Sequence, residues 1–261
     1  MHHSQKSAIV FPLILIFILT ACNSSGDKQQ VYLPNTGNTP EAAVGNGSCD
    51  NVLYPVKQGA TWVYTNTGGP SGTISYTDTI SEVHSGGFTI HSQFNGSTRA
   101  QEWSCQADGL QAHQFGGEIA ANLAAQGITT EFNTTQVSGI SILREISSGA
   151  QWKYSLQMNG TMSMSGNQQS QANGTYSITM QETGKETITT PAGTFEATRF
   201  QENSNIDIIA NFDGVDVPIK FSISAIVWYA PGVGHIKSVE NGDFGSGAFT
   251  SITELQSYSI P

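Results

Sequence analysis

The sequence predicts an all-β protein built from a duplicated unit, and three observations carry that prediction: composition, alternation and an internal repeat. Only 11% of the 261 residues are charged, and polarity comes instead from Ser, Thr, Asn, Gln and Gly. Such residues suit exposed strand faces and turns better than helices. Turn pairs punctuate the chain at Gly86-Gly87, Asn95-Gly96, Asp108-Gly109, Asn173-Gly174, Asp213-Gly214, Pro231-Gly232 and Asn241-Gly242, with Pro191-Ala192-Gly193 between them. Each separates short apolar or alternating runs, which implies about a dozen strands, mostly paired in sequential antiparallel order. The one helix candidate is GEIAANLAAQ, residues 117–126, at the junction of the two halves.

The repeat is carried by GATWVY at 59–64 and GAQWKY at 149–154, an offset of 90. At that same offset Val52 meets Ile142, Leu53 meets Leu143 and Val56 meets Ile146, so seven positions agree in identity or apolar character. A comparable order of features follows each copy, with GGFTIHSQF in the first half and AGTFEATRF in the second. The units span about 49–116 and 139–240, the second being longer. Within QWKYSLQM, Trp152, Tyr154, Leu156 and Met158 alternate with polar residues, giving one apolar and one wet face. Asn159-Gly160 then reads as a turn, and a three-residue loop would pair Leu156 with Met162 and keep both buried.

The phrases LYPVKQGATWVY, TTPAGTF and WYAPGVGHIKSVE resemble segments that recur in this order in a family of uncharacterised secreted bacterial lipoproteins. The likeness spans most of residues 52–240. Some relatives of this kind are similar to the half-barrels of periplasmic lipoprotein carriers. The resemblance therefore implies a curved antiparallel sheet or open half-barrel, and it brings no agreed activity.

The first residues give an address. A short basic start is followed by an apolar run from Ala8 to Leu19, too short for the roughly 20 residues that cross a bilayer, so residues 1–21 read as a signal peptide. Leu19-Thr20-Ala21-Cys22 matches the lipobox of bacterial lipoproteins, which makes Cys22 the acylated residue and the membrane the first partner. Residues 22–48 form a polar, lipidated tether with too few apolar side chains to fold, and residues 49–261 form the β domain. Asn23 stands where some bacteria place an inner-membrane retention aspartate, a pattern that resembles outer-membrane sorting in the cell envelope.

Charge and cysteine count exclude other partners. Without Lys6, which leaves with the signal peptide, nine basic residues face 20 acidic ones, a net charge of −11. A surface of that sign repels phosphates, so nucleic acid is not a partner. Lipidation of Cys22 leaves Cys49 and Cys105, whose simplest arrangement in an oxidising compartment is one disulfide contributing roughly 3 to 4 kcal/mol.

Candidate sites are few. Glu82, His84 and His91 flank Gly86-Gly87; a two-residue loop there would pair Glu82 with His91 and bring His84 within reach of the same transition metal, whereas a three-residue loop would separate them. Asp207, Asn211, Asp213 and Asp216 in DIIANFDGVD offer oxygen ligands for calcium, but a hairpin turn at Asp213-Gly214 accounts for them more simply. No nucleophile elbow, phosphate loop or zinc-protease motif occurs, and nothing calls for a cofactor. Trp62, Tyr64, Trp152, Tyr154 and Trp228 could line an apolar ligand pocket if the sheet curls, although core packing explains them as well. The reading that follows is a lipid-anchored, non-enzymatic envelope protein that binds a partner protein, glycan or other envelope component. A carrier of a lipid or other hydrophobic ligand is the alternative, and a glycan-active hydrolase the third.

Overall fold

The computed structural model describes residues 47–70, 72–94, 97–114, 123, 127–164, 168–243 and 247–261. The signal segment, the lipobox and nearly all of the tether lie outside the described residues, as do the Asn95-Gly96 turn and most of the expected helix. Of that helix stretch only Leu123 is described, and it is buried.

Every strand pairing is antiparallel, and one sheet of 13 strands results. The first copy of the repeat forms β1 (Thr61–Gly69), β2 (Gly72–His84), β3 (Gly87–Phe94), β4 (Ser97–Gln106) and β5 (Gly109–Ala112). The junction supplies β6 (Thr129–Gly139) and the two-residue β7 (Ile142–Leu143). After it come β8 (Gln151–Met164), β9 (Gln168–Thr190), β10 (Gly193–Phe212), β11 (Val215–Ala230) and β12 (Gly234–Asp243), and beyond the second copy β13 (Ala248–Ser259). Two meanders therefore lie side by side, joined where β13 pairs with β1. The sheet twists, as strands of L-residues must, and curls into an open half-barrel.

The curl carries the two edges of the sheet to each other at one end. β6 lies at one edge beside β8, while β7 lies at the other edge beside β5. Only Ile140 and Ser141 separate them in sequence, so the chain steps from one edge to the other within two residues. Glycine occupies both flanks of this seam because backbone presses on each. A Cβ on Gly139 would lie 2.0 Å from the Lys153 carbonyl oxygen, and one on Gly109 would lie 2.1 Å from that of Ile142. Ser141 accepts the Ala112 amide on its hydroxyl at 3.0 Å and donates its own amide to the Leu110 carbonyl at 2.9 Å.

The repeat has a structural counterpart. Gly59 and Gly149 both adopt positive φ, and the next residue accepts a matching bond in each copy: Ala60 from the Ile80 amide at 2.9 Å, Ala150 from the Glu182 amide at 2.9 Å. The following Trp and Tyr turn inward and anchor their polar ends on distant backbone. The Trp62 indole donates to the Val233 carbonyl at 2.6 Å and the Tyr64 hydroxyl to that of His235 at 2.9 Å. In the second copy, Trp152 donates to Ser141 at 3.4 Å and Tyr154 to Ala112 at 2.7 Å. GAxWxY thus opens each meander and ties it across the inner face.

Three expectations about turns are corrected. β8 and β9 run straight through Asn159-Gly160 and Asn173-Gly174, and Leu156 pairs with Val137 and Tyr176 rather than with Met162. Glycine serves here for close approach, since a Cβ on Gly160 would meet the Glu131 carbonyl oxygen at 1.9 Å. β12 likewise contains Asn241-Gly242. Turns do form at Asp108, Pro191-Ala192, Asp213-Gly214 and Pro231-Gly232.

The first described residues are stapled beside the seam. Cys49 and Cys105 form the expected disulfide, with Cα atoms 5.0 Å apart. Arg144, just past β7, spreads its guanidinium over four carbonyls: Ser48 at 2.7 Å, Asp50 at 3.1 Å, Gln106 at 2.8 Å and Ala107 at 2.9 Å. The Asn51 side-chain amide adds a bond to the Leu143 carbonyl at 2.9 Å. Arg144→Ala leaves these acceptors without their shared donor and is expected to cost about 2 to 3 kcal/mol, read as a lowered urea midpoint under oxidising conditions. Arg144→Lys, with one point charge for a planar fork, is expected to recover only part of it.

Candidate functional site

The inner face carries more polar residues than a packed core requires. Along β10, Phe200, Glu202, Ser204, Ile206 and Ile208 share one phase of the pleat and face inward together. Along β12, Ser238 and Glu240 do the same, and along β2 Asp78 sits in phase with Tyr76 and Ile80. An aromatic row, Tyr64 on Tyr76 at 5.1 Å and Tyr76 on Phe94 at 4.9 Å, crosses β1, β2 and β3 in register.

Between the two meanders a cavity of about 140 Å³ opens, lined in part by Trp103, Tyr154, Tyr176, Met180, Glu202 and Tyr229, with Gln101 and Gln114 at its rim. Burial, then the neighbouring Glu240, pushes the Glu202 carboxyl up to about 7. The Glu240 carboxyl is raised by burial too, against hydrogen bonds from Ser238 at 3.3 Å and Ser251 at 3.4 Å. Asp78 is raised by burial to about 6, although Ser92 donates to it at 2.6 Å. His235, held between Tyr64 and Tyr229 with ring centroids 5.4 and 5.6 Å away, is lowered by burial to about 4 and stays neutral.

The expected pocket aromatics divide. Tyr154 lines the cavity. Trp62 and Tyr64 are buried in the packed core of the first meander, with Trp62 stacked on Tyr54 at 5.3 Å. Trp152 packs edge-on against Phe200 at 5.7 Å. Trp228 is out of phase with inward-facing Val227 and Tyr229, and its indole meets Glu186 of the β9–β10 hairpin at 2.7 Å. Glu202, Glu240 and Asp78 are the residues that sequence reasoning missed. Their signal was available: each is an acid at an apolar phase position of a strand.

The metal candidates Glu82, His84 and His91 are not brought together. The loop closes at Ser85-Gly86, which pairs His84 with Gly87 and Glu82 with Thr89, and a bulge between Ile80 and Glu82 then sets His91 opposite Thr79. His84 instead lies 3.7 Å from Glu102. No group of three metal-ligating side chains occurs among the described residues. The DIIANFDGVD segment is the hairpin turn, with Asn211 bonded to Asp216 at 2.7 Å and to the Gly214 amide at 3.0 Å, and Asp207 paired with Lys220 at 2.8 Å.

A second concavity lies on the outer face, over β6 and β8 to β11. Two adjoining grooves, of about 730 and 560 Å³, share Asn159, Asn173 and Ile209 and form one trough. Registered rows floor it: Asn133, Asn159, Asn173, Ile209 and Pro218 lie opposite one another across five strands. Amides dominate the walls, Ile209 is 45% exposed, and the Asp207–Lys220 pair leaves no net charge between those two groups.

The comparisons bear on the fold. The family described as DUF3108-like matches residues 103–255, more than half of the chain. A candidate lipoprotein from Parabacteroides distasonis ATCC 8503 is similar in fold, with a TM-score of 0.51 at 16% identity over 81% of this chain and 100% of that one. A candidate exported protein with a YmcC-like fold from Bacteroides fragilis NCTC 9343 gives 0.49 at 15% identity, over 80% and 100%. The hypothetical lipoprotein YmcC from Escherichia coli K12 gives 0.33 at 12%, over 80% and 88%. No curated protein matches the chain.

The raised Glu202 carboxyl has a measurable consequence. It binds its proton more tightly in the folded chain than in the unfolded one, so its contribution to stability is complete below the ordinary carboxylate range and fades as pH rises to about 7. Glu202→Gln is therefore expected to be stabilising relative to the native protein at pH 8 and nearly neutral at pH 5, by denaturant midpoints. His235 titrates in the opposite sense but is common to both proteins, so it drops out of the difference.

Proposed function

The chain belongs to the DUF3108-like family, and from that premise we propose that it is an envelope binding protein, held to a membrane by lipid on Cys22, which takes a glycan strand along its outer trough. The observation that carries this reading is the contrast in space. The outer trough measures about 730 and 560 Å³ in its two parts, whereas the inner cavity measures about 140 Å³. Pockets that enclose a drug-sized ligand run to about 300 to 1,000 Å³, so the inner cavity does not favour an acyl chain. The trough walls supply donors and acceptors in pairs from Asn159, Asn173 and Gln157, with Ile209 and Pro218 as apolar floor for the C–H faces of a sugar.

Its placement on a membrane rests on the lipobox and the polar stretch that follows it, and outer-membrane sorting on Asn23. Binding without catalysis fits the trough, whose Asp207 is committed to Lys220. Asn173→Trp, which fills the trough from an exposed strand position, is expected to weaken binding to an envelope polysaccharide at least tenfold in affinity electrophoresis while leaving the melting temperature within a few degrees. Equal retardation of both proteins by every polysaccharide tried would remove the reading. Radiolabelled palmitate is expected in the native chain and absent from Cys22→Ser.

A further inference from the structure

The inner cavity has a composition that the outer trough does not explain. Its walls include four aromatic rings, Trp103, Tyr154, Tyr176 and Tyr229, contributed by β4, β8, β9 and β11. Its polar rim is already committed. The Gln101 side chain accepts from the Trp103 indole at 3.0 Å and donates to the Gln114 carbonyl at 2.7 Å, while the Gln114 side chain accepts the Glu102 amide at 2.7 Å. Glu202 is different: among the described residues no side chain donates to its carboxylate and no cation pairs with it, although its neighbours Tyr154, Tyr176, Tyr229 and Glu240 close around it.

We propose that this cavity binds a small quaternary ammonium, with the aromatic rings as its walls and the Glu202 carboxylate as its counter-ion. Size supports the choice: a cavity of about 150 Å³ accommodates benzene, so about 140 Å³ suits a trimethylammonium head of five to eight non-hydrogen atoms. Sign supports it, since an anion would meet Glu202, with Glu240 close behind it and no cation among the described lining residues. A primary ammonium would bring three N–H donors to a site offering one uncommitted carboxylate, and its unpaired donors would be costly to bury. A quaternary nitrogen has no such donors, and its methyl groups meet ring faces. The inference stands apart from the glycan reading, which uses the opposite face of the sheet.

The groups facing Glu202 set a pH dependence. Glu240 on β12 is the charged one, and Tyr154, Tyr176 and Tyr229 on β8, β9 and β11 remain neutral because burial raises each of them. The ligand requires the ionised carboxylate, so binding tightens as pH rises from 6 to 8 and releases a proton.

The test is isothermal titration of the intact lipidated protein, in a maltoside detergent, with choline and with its uncharged isostere 3,3-dimethylbutan-1-ol. Saturable one-site binding of choline is expected, at least tenfold tighter than that of the alcohol, tightening several-fold between pH 6 and pH 8. Glu202→Gln is expected to erase the preference for choline. Equal affinity for the two compounds, a pH-independent constant or the absence of saturable choline binding would each overturn the proposal. The comparison of isosteres uses the native protein, so it decides the matter even if Glu202→Gln fails to fold.

Discussion

The structure depends on the meeting of two sheet edges at Gly139 to Leu143. An open sheet of this size presents two rows of unpaired backbone groups, which proteins must cover, shorten or close. Here the junction between the two repeats is divided between them: β6 finishes one edge and β7 begins the other. The curl of the sheet is thereby fixed at one end, and with it the spacing of the inner walls. Trp152 and Tyr154 bond to the seam or beside it, and the disulfide, Arg144 and Asn51 gather around it.

That fixed spacing explains how an acidic, polar interior survives. Burying a carboxylate without a partner is unfavourable, and proteins usually avoid it by neutralising the group. Glu202 and Glu240 follow that course, both raised by burial within reach of one another. Glu182 takes the other, lying buried with its oxygens on the Gly149 amide at 2.6 Å and the Gly184 amide at 2.9 Å, where it ties the start of β8 to the bulge in β9. Of two glutamates on adjacent inner strands, one is a structural clamp and the other lines a cavity.

Much of this was legible in the sequence, and the failures are instructive. Alternation in QWKYSLQM gave β8 its inner face, Cys49 and Cys105 their bond, and the repeated GAxWxY the two meander starts. Asn-Gly failed as a turn signal at 159 and 173 because glycine also answers a need other than turning, a close backbone neighbour, and Gly160 and Gly174 both meet one inside a strand. The histidine site dissolved because the turn closes one residue early, at Ser85-Gly86, and a bulge at Ser81 adds a second shift, which no local pattern announces. The seam and the cavity were out of reach for another reason: both join residues from opposite edges of a sheet whose curl depends on all its strands. Glu202, like Glu240 and Asp78, had left a trace, as an acid in phase with apolar residues of its strand.

One arrangement bears on force. Gly47, the first described residue, donates its amide to the Cys105 carbonyl at 2.9 Å, two residues before the disulfide. Tension arriving through the preceding residues therefore passes covalently into the end of β4 and is shared with Arg144 at the seam, instead of peeling a terminal strand one hydrogen bond at a time. Reducing the disulfide would convert a sheared, stiff attachment into one that unzips.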